Sequence, residues 1–355
     1  MRGGSMGKLR IGVIGLGVGE QHAIGVVQHP RATLAVLCDR DPAKLAEVGA
    51  RFPGVRQSND ADAVLTDPNV DCVVIATYDD QHGAQILTAL GHGKHVFAEK
   101  PICYSPDEAR GIRAALAAHP GLRLTTNTIL RTSQRFRWVK AQCDTGAFGD
   151  IFAVEAGYNY GRLHKLTEGW RGRQAFYSAV YGGGVHVVDL LRWLTGDEVF
   201  RVFAVGNRVA SRGTRYRFRD YITATFEFRS GIVGTVSVNF GCVSPHFHPV
   251  ALYGTQATFV NDVPHGRWYT SRDPAVPPVP VEQPYPGCAK YDLLTEFISA
   301  LLDQRDPVIT EDDALRTMAV CFAIERSADS GEPVDVLAIE QEMGLVSHTP
   351  VATVR

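Results

Sequence analysis

Leu9-Arg10-Ile11-Gly12-Val13-Ile14-Gly15-Leu16-Gly17-Val18-Gly19-Glu20 is the stretch on which the reading of this chain turns. A short apolar run, Leu9 to Ile14, ends in glycines, and Glu20 to His29 continues with helical character. Such a turn from strand into helix lets backbone N–H groups approach a pyrophosphate, while the helix N-terminus adds a favourable partial charge. Gly19 comes one residue early for a regular G-x-G-x-x-G, and tight strand–helix turns use glycine for their own sake, so the motif needs its context. Gly15, Gly17, Val18 and Gly19 are the candidate cofactor contacts here.

The context supports it. Leu34 to Cys38 reads as the next strand and ends at Asp39, 22 residues beyond Gly17. That is about the spacing at which an acid accepts hydrogen bonds from the adenine ribose hydroxyls. A carboxylate there repels a 2′-phosphate, so NAD is favoured over NADP. Arg40 pulls the other way, since it could stack on adenine or pair with that phosphate. The competing reading of Asp39 is a solvated loop acid before Asp41, the N-cap of a helix from Pro42 to Phe52. Asp71 to Ala76 is a near-continuous apolar strand of the doubly buried kind. Ala76-Thr77-Tyr78-Asp79-Asp80-Gln81-His82 follows it, placing Thr77, Asp79 and His82 beside the cofactor; His82 is equally readable as a packing residue. Helices at Gln81 to Leu90 and Ser105 to Ala118 and strands at His95 to Ala98 and Leu122 to Thr126 complete an alternation that implies a doubly wound parallel sheet.

Glu99-Lys100-Pro101 closes the strand His95 to Ala98. Open α/β sheets bind ligands at the carboxyl ends of their strands. A lysine there, its backbone restricted by the following proline, can donate to a substrate oxygen and favour the charge that develops as hydride moves. Without a nucleotide site the default would be a surface lysine paired with Glu99. Glu99 and Lys100 are counted among the cofactor contacts, and Lys100 among the catalytic ones.

Beyond about residue 128 the rhythm changes. After a helix at Arg135 to Asp144, strands dominate: Ile151 to Tyr160, Val199 to Val209, Tyr221 to Phe228, Ile232 to Phe240 and Pro249 to Tyr253. Their short turns imply an open, mostly antiparallel sheet. Asp273 to Pro286 is proline-rich and reads as a surface loop, and helices at Tyr291 to Leu302 and Glu311 to Ser330 follow, the second stopped by Gly331. The division expected is therefore a dinucleotide-binding domain at 1–127, with 1–7 a vector-derived leader before Met6, and an α+β domain at 128–355.

Bulk properties exclude several classes. With 355 residues the chain has room for two cores; 45% apolar and 21% charged content are those of a globular protein. A net charge of −2 gives no general attraction to nucleic acid or anionic lipid. No apolar run is long enough for a membrane span, and a cytoplasmic location is expected. The seven cysteines are dispersed without a C-x-x-C pair, and read as reduced thiols rather than disulfides or a zinc site. His246-Phe247-His248 could chelate a metal, but no third ligand has convincing spacing, so no metal is expected.

A second constellation, Tyr181-Gly182-Gly183-Gly184-Val185-His186-Val187-Val188-Asp189, runs into the apolar helix Leu190-Leu191-Arg192-Trp193-Leu194. The glycines allow close backbone approach. His186 suits a general base, and Asp189, three residues on, could orient its imidazole. A core histidine with a structural aspartate fits the spacing as well.

The combination of Ile14-Gly15-Leu16-Gly17, Cys38-Asp39-Arg40, Glu99-Lys100-Pro101 and Gly182-Gly183-Gly184-Val185-His186-Val187-Val188-Asp189-Leu190-Leu191, with Gly331-Glu332-Pro333-Val334 near the end, resembles the glucose–fructose oxidoreductase / inositol dehydrogenase / MocA family over nearly the whole chain. The resemblance implies a Rossmann domain, an open-sheet domain that often forms the oligomer interface (a dimer or tetramer), and NAD(P)-dependent oxidation or reduction of sugars or cyclitols. It implies Lys100 near nicotinamide and substrate, His186 as catalytic histidine, Asp39 as ribose acid, Trp170-Arg171 as a segment reaching the nicotinamide, and Asn127 and Arg131 as cleft residues. The family's aspartate four residues before the histidine is here Gly182; Tyr181, Tyr177 or Asp189 is left to stand in. Two rival functions share the fold: a redox-neutral enzyme of the glycosidase or epimerase type, and a non-catalytic sensor of NAD or ligand.

Overall fold

The computed structural model describes residues 8–345, so the expected leader lies outside the described residues. They form two compact units, 8–127 with 289–315, and 128–288 with 316–345.

The first unit runs β1 (Leu9–Ile14), α1 (Gly19–Gln28), β2 (Ala32–Cys38), α2 (Pro42–Gly49), β3 (Arg56–Ser58), α3 (Asp62–Leu65), β4 (Cys72–Ile75), α4 (His82–Gly91), β5 (His95–Ala98), α5 (Pro106–Ala118) and β6 (Leu124–Thr126). The strands are parallel, in the order β3-β2-β1-β4-β5-β6. The order reverses between β1 and β4, and the crevice at the carboxyl ends there is where a sheet of this topology takes a dinucleotide. Every residue of β4 is fully buried, which explains its unbroken apolar run. The caps are as expected: Asp41 accepts from the Ala43 and Lys44 N–H groups before Pro42, and Ser105 accepts from Glu108 N–H. β3 is unannounced in the sequence because Arg56-Gln57-Ser58 is a short polar edge strand with nothing to bury.

The second unit runs α6 (Gln134–Asp144), β7 (Ile151–Asn159), α7 (His164–Thr167), α8 (Val185–Thr195), β8 (Val199–Asn207), β9 (Tyr221–Phe228), β10 (Val233–Asn239), β11 (Val250–Gly254), β12 (Thr258–Val260), β13 (Gly266–Tyr269) and β14 (Val279–Val281). Its open sheet has the order β14-β13-β12-β11-β7-β10-β9-β8, closed at the far edge by β15 (Val334–Asp335). Only the β7–β10 pair is parallel among the described strands. In β9, Ile222, Ala224, Phe226 and Phe228 are buried while Thr225 and Glu227 face out, the two-residue alternation of a half-buried strand. The proline-rich segment expected as loop contains β14; Pro280 is tolerated because β14 is an edge strand.

Between β14 and β15 the chain passes back to the first unit. α9 (Asp292–Leu302) packs on α1, where the Tyr291 ring fills the space over Gly25, and Phe297 lies 6.3 Å from Phe97. Thr125 at the end of β6 donates to the Ile309 carbonyl at 2.7 Å. Segment 289–315, placed with 128–355 by the sequence reading, is thus part of the first unit's core. Local patterning marks α9 as amphipathic without saying which distant face it covers. α10 (Glu311–Ser330) begins in the first unit and continues into the second, ending at Gly331 with φ +75°, the left-handed stop a glycine provides. α11 (Val336–Glu342) completes the second unit.

Candidate active site

The glycine turn of the first unit has the form a pyrophosphate requires. Gly15 has φ +87°, and a Cβ there would strike the backbone of Ala76 and Thr77, so the position demands glycine. A Cβ on Gly17 would meet nothing within 4 Å, which leaves open space above the turn. α1 begins without a side-chain cap on its first N–H groups, leaving those donors for an anion. Asp39 is fixed beside the turn, accepting from Leu16 N–H at 2.8 Å and Asp41 N–H at 2.9 Å. The Arg40 guanidinium lies 4.5 Å over the Tyr78 ring, a platform that suits the stacking role rather than phosphate pairing. These residues fit NAD: Gly15, Gly17, Val18 and Gly19 would cradle its pyrophosphate and Asp39 its ribose.

Behind the turn the expected contacts divide. Thr77 donates to Gln85 at 2.8 Å. His82 is fully buried, its Nδ1 2.7 Å from the Pro101 carbonyl and its Nε2 3.3 Å from that of Thr77. It therefore takes the packing reading, bracing the loop after β4 against the end of the Glu99-Lys100-Pro101 segment. Asp79 opens a short 3₁₀ turn, Asp79–Gln81, and is buried.

Glu99 is held from two sides. His22 of α1 bonds to its Oε1 at 2.9 Å, and Asn127 donates to the same oxygen at 2.8 Å and to the Lys290 carbonyl at 3.3 Å. Burial works against ionisation of Glu99, but His22, the neighbouring Lys100 charge and the Asn127 amide outweigh it and hold the carboxyl down at about 2. Asn127, expected to line a cleft, is an anchor of this network. The sequence analysis missed His22 altogether; its position on the sheet-facing side of α1 was the available signal.

In the second unit a single π-helical turn, Val180–Gly184, leads into α8. Turns of this kind concentrate at functional sites. The Ser178 hydroxyl caps it, accepting from the N–H groups of Val180 and Tyr181 and donating to Glu325. The glycines admit neighbours: a Cβ on Gly183 would enter the Tyr158 ring, one on Gly184 the Val238 side chain, and one on Gly182 the hydroxyl of Tyr177. His186, 9% exposed, stacks on Tyr158 with centroids 5.9 Å apart and planes at 16°. The same ring meets His246 edge-on at 5.1 Å and lies 5.3 Å from His248. Burial, with His246 beside it, pushes His248 down to about 3, and its Nδ1 lies 2.5 Å from the Tyr285 hydroxyl. Tyr158, not singled out from sequence, is thus the hub of three imidazoles. Among the described residues no group of His, Cys, Asp or Glu is arranged to hold a metal.

Three expected substrate contacts have other duties. Arg131 and Asp189 form a buried two-point pair, Nε to Oδ2 at 2.9 Å and Nη2 to Oδ1 at 2.7 Å, which Thr317 joins at 3.3 Å. Asp189 serves Arg131, which corrects the expectation that it orients His186; three residues along a helix is close to one turn, but the pair across the core decides the carboxylate's direction. Tyr181 packs edge-on against Phe322 of α10 at 5.4 Å. Trp170 and Arg171 are knitted onto Tyr177: the Trp170 ring meets it edge-on at 6.1 Å, and Arg171 Nε donates to its hydroxyl at 3.0 Å.

A parallel sheet with an open pyrophosphate turn, carried together with an open-sheet unit bearing a histidine helix, defines the class of two-unit dinucleotide-binding oxidoreductases. Comparison with known proteins gives the family. The oxidoreductase family with NAD-binding Rossmann fold, Gfo/Idh/MocA, matches residues 9–127, and the GFO/IDH/MocA C-terminal domain matches residues 136–260. The chain belongs to this family, as its motifs implied. It is 27% identical over 345 residues to scyllo-inositol 2-dehydrogenase (NAD(+)) of Bacillus subtilis, covering 93% of this chain and 96% of that protein. It is 31% identical over 202 residues to inositol 2-dehydrogenase of Acidothermus cellulolyticus, a match that spans 56% of this chain and 57% of that protein. In fold it resembles scyllo-inositol dehydrogenase from Lactobacillus casei, solved with NAD(H) and scyllo-inositol, with a TM-score of 0.80 at 22% identity over 93% of this chain and 99% of that one.

Proposed function

We propose that this chain oxidises a ring carbinol of a sugar, sugar derivative or cyclitol, or reduces the corresponding ketone. NAD, when bound, supplies the hydride acceptor or donor. His186 exchanges the hydroxyl proton, and Lys100 donates to the same oxygen and favours the charge that develops on it. The observation that carries the reading is the His186 environment: an imidazole almost removed from water, its plane set by Tyr158, on the helix of a family whose relatives include inositol dehydrogenases. The inositol specificity of those relatives points to a polyhydroxylated ring as substrate.

The test is a panel of cyclitols and sugars read by nicotinamide absorbance, with NAD and NADP in parallel. Turnover with NAD on at least one polyol, reduced severely by Lys100→Ala with NAD binding largely kept, is the expected result. Near-normal turnover in that variant defeats the role of Lys100. Product formation with no net NADH would select the redox-neutral rival, and no turnover at all the sensor. A homo-oligomer formed through the outer face of the open sheet is part of the same proposal, supported by exposed Phe203, Val205 and Val233 on that face. Light scattering that returns a monomer would count against it.

A further inference from the structure

Tyr177 is among the largest fully buried side chains, at 1% exposure, yet its polar end is not turned toward water or a backbone carbonyl of its own strand of chain. It lies against Gly182, in the volume a side chain at that position would need. Gly182 is four residues before His186, about one helical turn, and helical side chains lean toward the N-terminus over the preceding turn. The Tyr177 hydroxyl therefore occupies the patch of helix surface toward which His186 leans. Arg171 Nε donates to that hydroxyl, which uses an acceptor site of the oxygen and leaves its proton to be given. A donor bonded to a cation is a stronger donor.

A second observation places the same two groups near His186. The Tyr158 phenol is pushed up by burial first, with Tyr160 and Tyr177 adding to the effect and Arg171 and Arg162 opposing it. Arg171 and Tyr177 are thus within electrostatic reach of the ring on which His186 stacks.

Resting on the function proposed above, we infer that Tyr177, held by Arg171 over Gly182, is a positioning residue that sets the orientation and proton affinity of His186. The titratable and charged groups around that imidazole are Tyr158 and Tyr160 of β7, His246 and His248 beside Tyr158, and Arg171 with Tyr177 from the 170–177 segment. Of these, Arg171 carries a permanent positive charge, and the Tyr177 hydroxyl is what anchors it. Releasing it raises the proton affinity of His186.

The test uses the full chain. Tyr177→Phe keeps the ring and its packing and removes only the oxygen. The expected result is an unchanged thermal midpoint and NAD affinity, and a loss in kcat on the order of 10²-fold, as for removal of one preorganised donor. The acid limb of the kcat/KM profile should move to higher pH. The His186 imidazole, followed by NMR without substrate and assigned with His186→Asn, should titrate at higher pH too. Gly182→Ala, whose methyl displaces the hydroxyl, should give the same signature, and the double variant should be no worse than Gly182→Ala alone. Wild-type turnover with an unaltered Tyr177→Phe overturns the inference and leaves the proposed function standing. If no polyol or sugar turns over, the proposed function fails while the His186 titration still decides: an unshifted imidazole in Tyr177→Phe overturns the inference.

Discussion

His22 and Glu99 meet at 2.9 Å in the core of the first unit, the imidazole fully buried and the carboxylate nearly so. The contact joins α1, the helix that follows the pyrophosphate turn, to the end of β5, where Lys100 stands. The position of the lysine's backbone is thereby set by the same helix that would receive the cofactor.

Acid should expose this contact. The Glu99 carboxyl is held at about 2 in the folded chain, below its ordinary value near 4.5. A depressed carboxyl contributes stability that is fully present above the unfolded value and is lost as pH falls through the folded one. Denaturant midpoints should therefore fall between about pH 4.5 and 2 in the wild type. Glu99→Gln should flatten that dependence and, by leaving buried His22 without its carboxylate, lower stability at neutral pH by about 3 kcal/mol. Parallel acid slopes for the two proteins would show that the pair has no such role.

Asp39 has two tasks, holding the Leu16 and Asp41 N–H groups and facing the expected ribose. Asp39→Ala should weaken NAD binding and improve the relative use of NADP, since the repulsion of a 2′-phosphate is gone. Titration calorimetry with both nucleotides reads this directly; an unchanged preference would remove the ribose assignment.

Arg131 and Asp189 should behave as a structural pair. Losing either partner leaves a buried charge unmatched and should cost about 3–5 kcal/mol, whereas an apolar replacement of both should cost much less. Urea unfolding of Arg131→Met, Asp189→Leu and the double variant tests this. Additive losses would mean that the two residues act separately.

His248 gives a second pH window. Its folded value of about 3 lies below the ordinary 6.5, so the unfolded chain takes up a proton that the folded chain refuses. Stability should fall as pH drops from about 6.5 toward 3. His248→Gln, which keeps a polar side chain for the Tyr285 hydroxyl, should reduce that slope in denaturant titrations at pH 7 and 5. An unaltered slope would place the titration elsewhere.

Most of the fold was legible in local patterning. The glycine turn, the buried run of β4, the caps at Asp41 and Ser105 and the alternation of β9 are each dictated by neighbours within a few residues. So were the glycine at 15, which only a positive φ explains, and Asp39, placed by strand length. The edge strands β3 and β14 escaped because polar, short and proline-bearing segments bury too little to mark themselves.

The site was legible as a set of residues and not as a set of roles. Glu99, Asn127, Arg131, Asp189, Tyr181 and His82 were all picked out correctly as unusual, yet each is satisfied by a partner far away in the chain: His22, Glu99 itself, Asp189, Arg131, Phe322 and Pro101. Residue type and spacing determine what a side chain can bond. Which partner it finds depends on how distant segments close around it, and burial makes that choice binding, because an unmatched polar group away from water costs more than any local preference returns. For the same reason the sequence could name the absent side chain at Gly182, but only the tertiary structure could show the Tyr177 hydroxyl in its place.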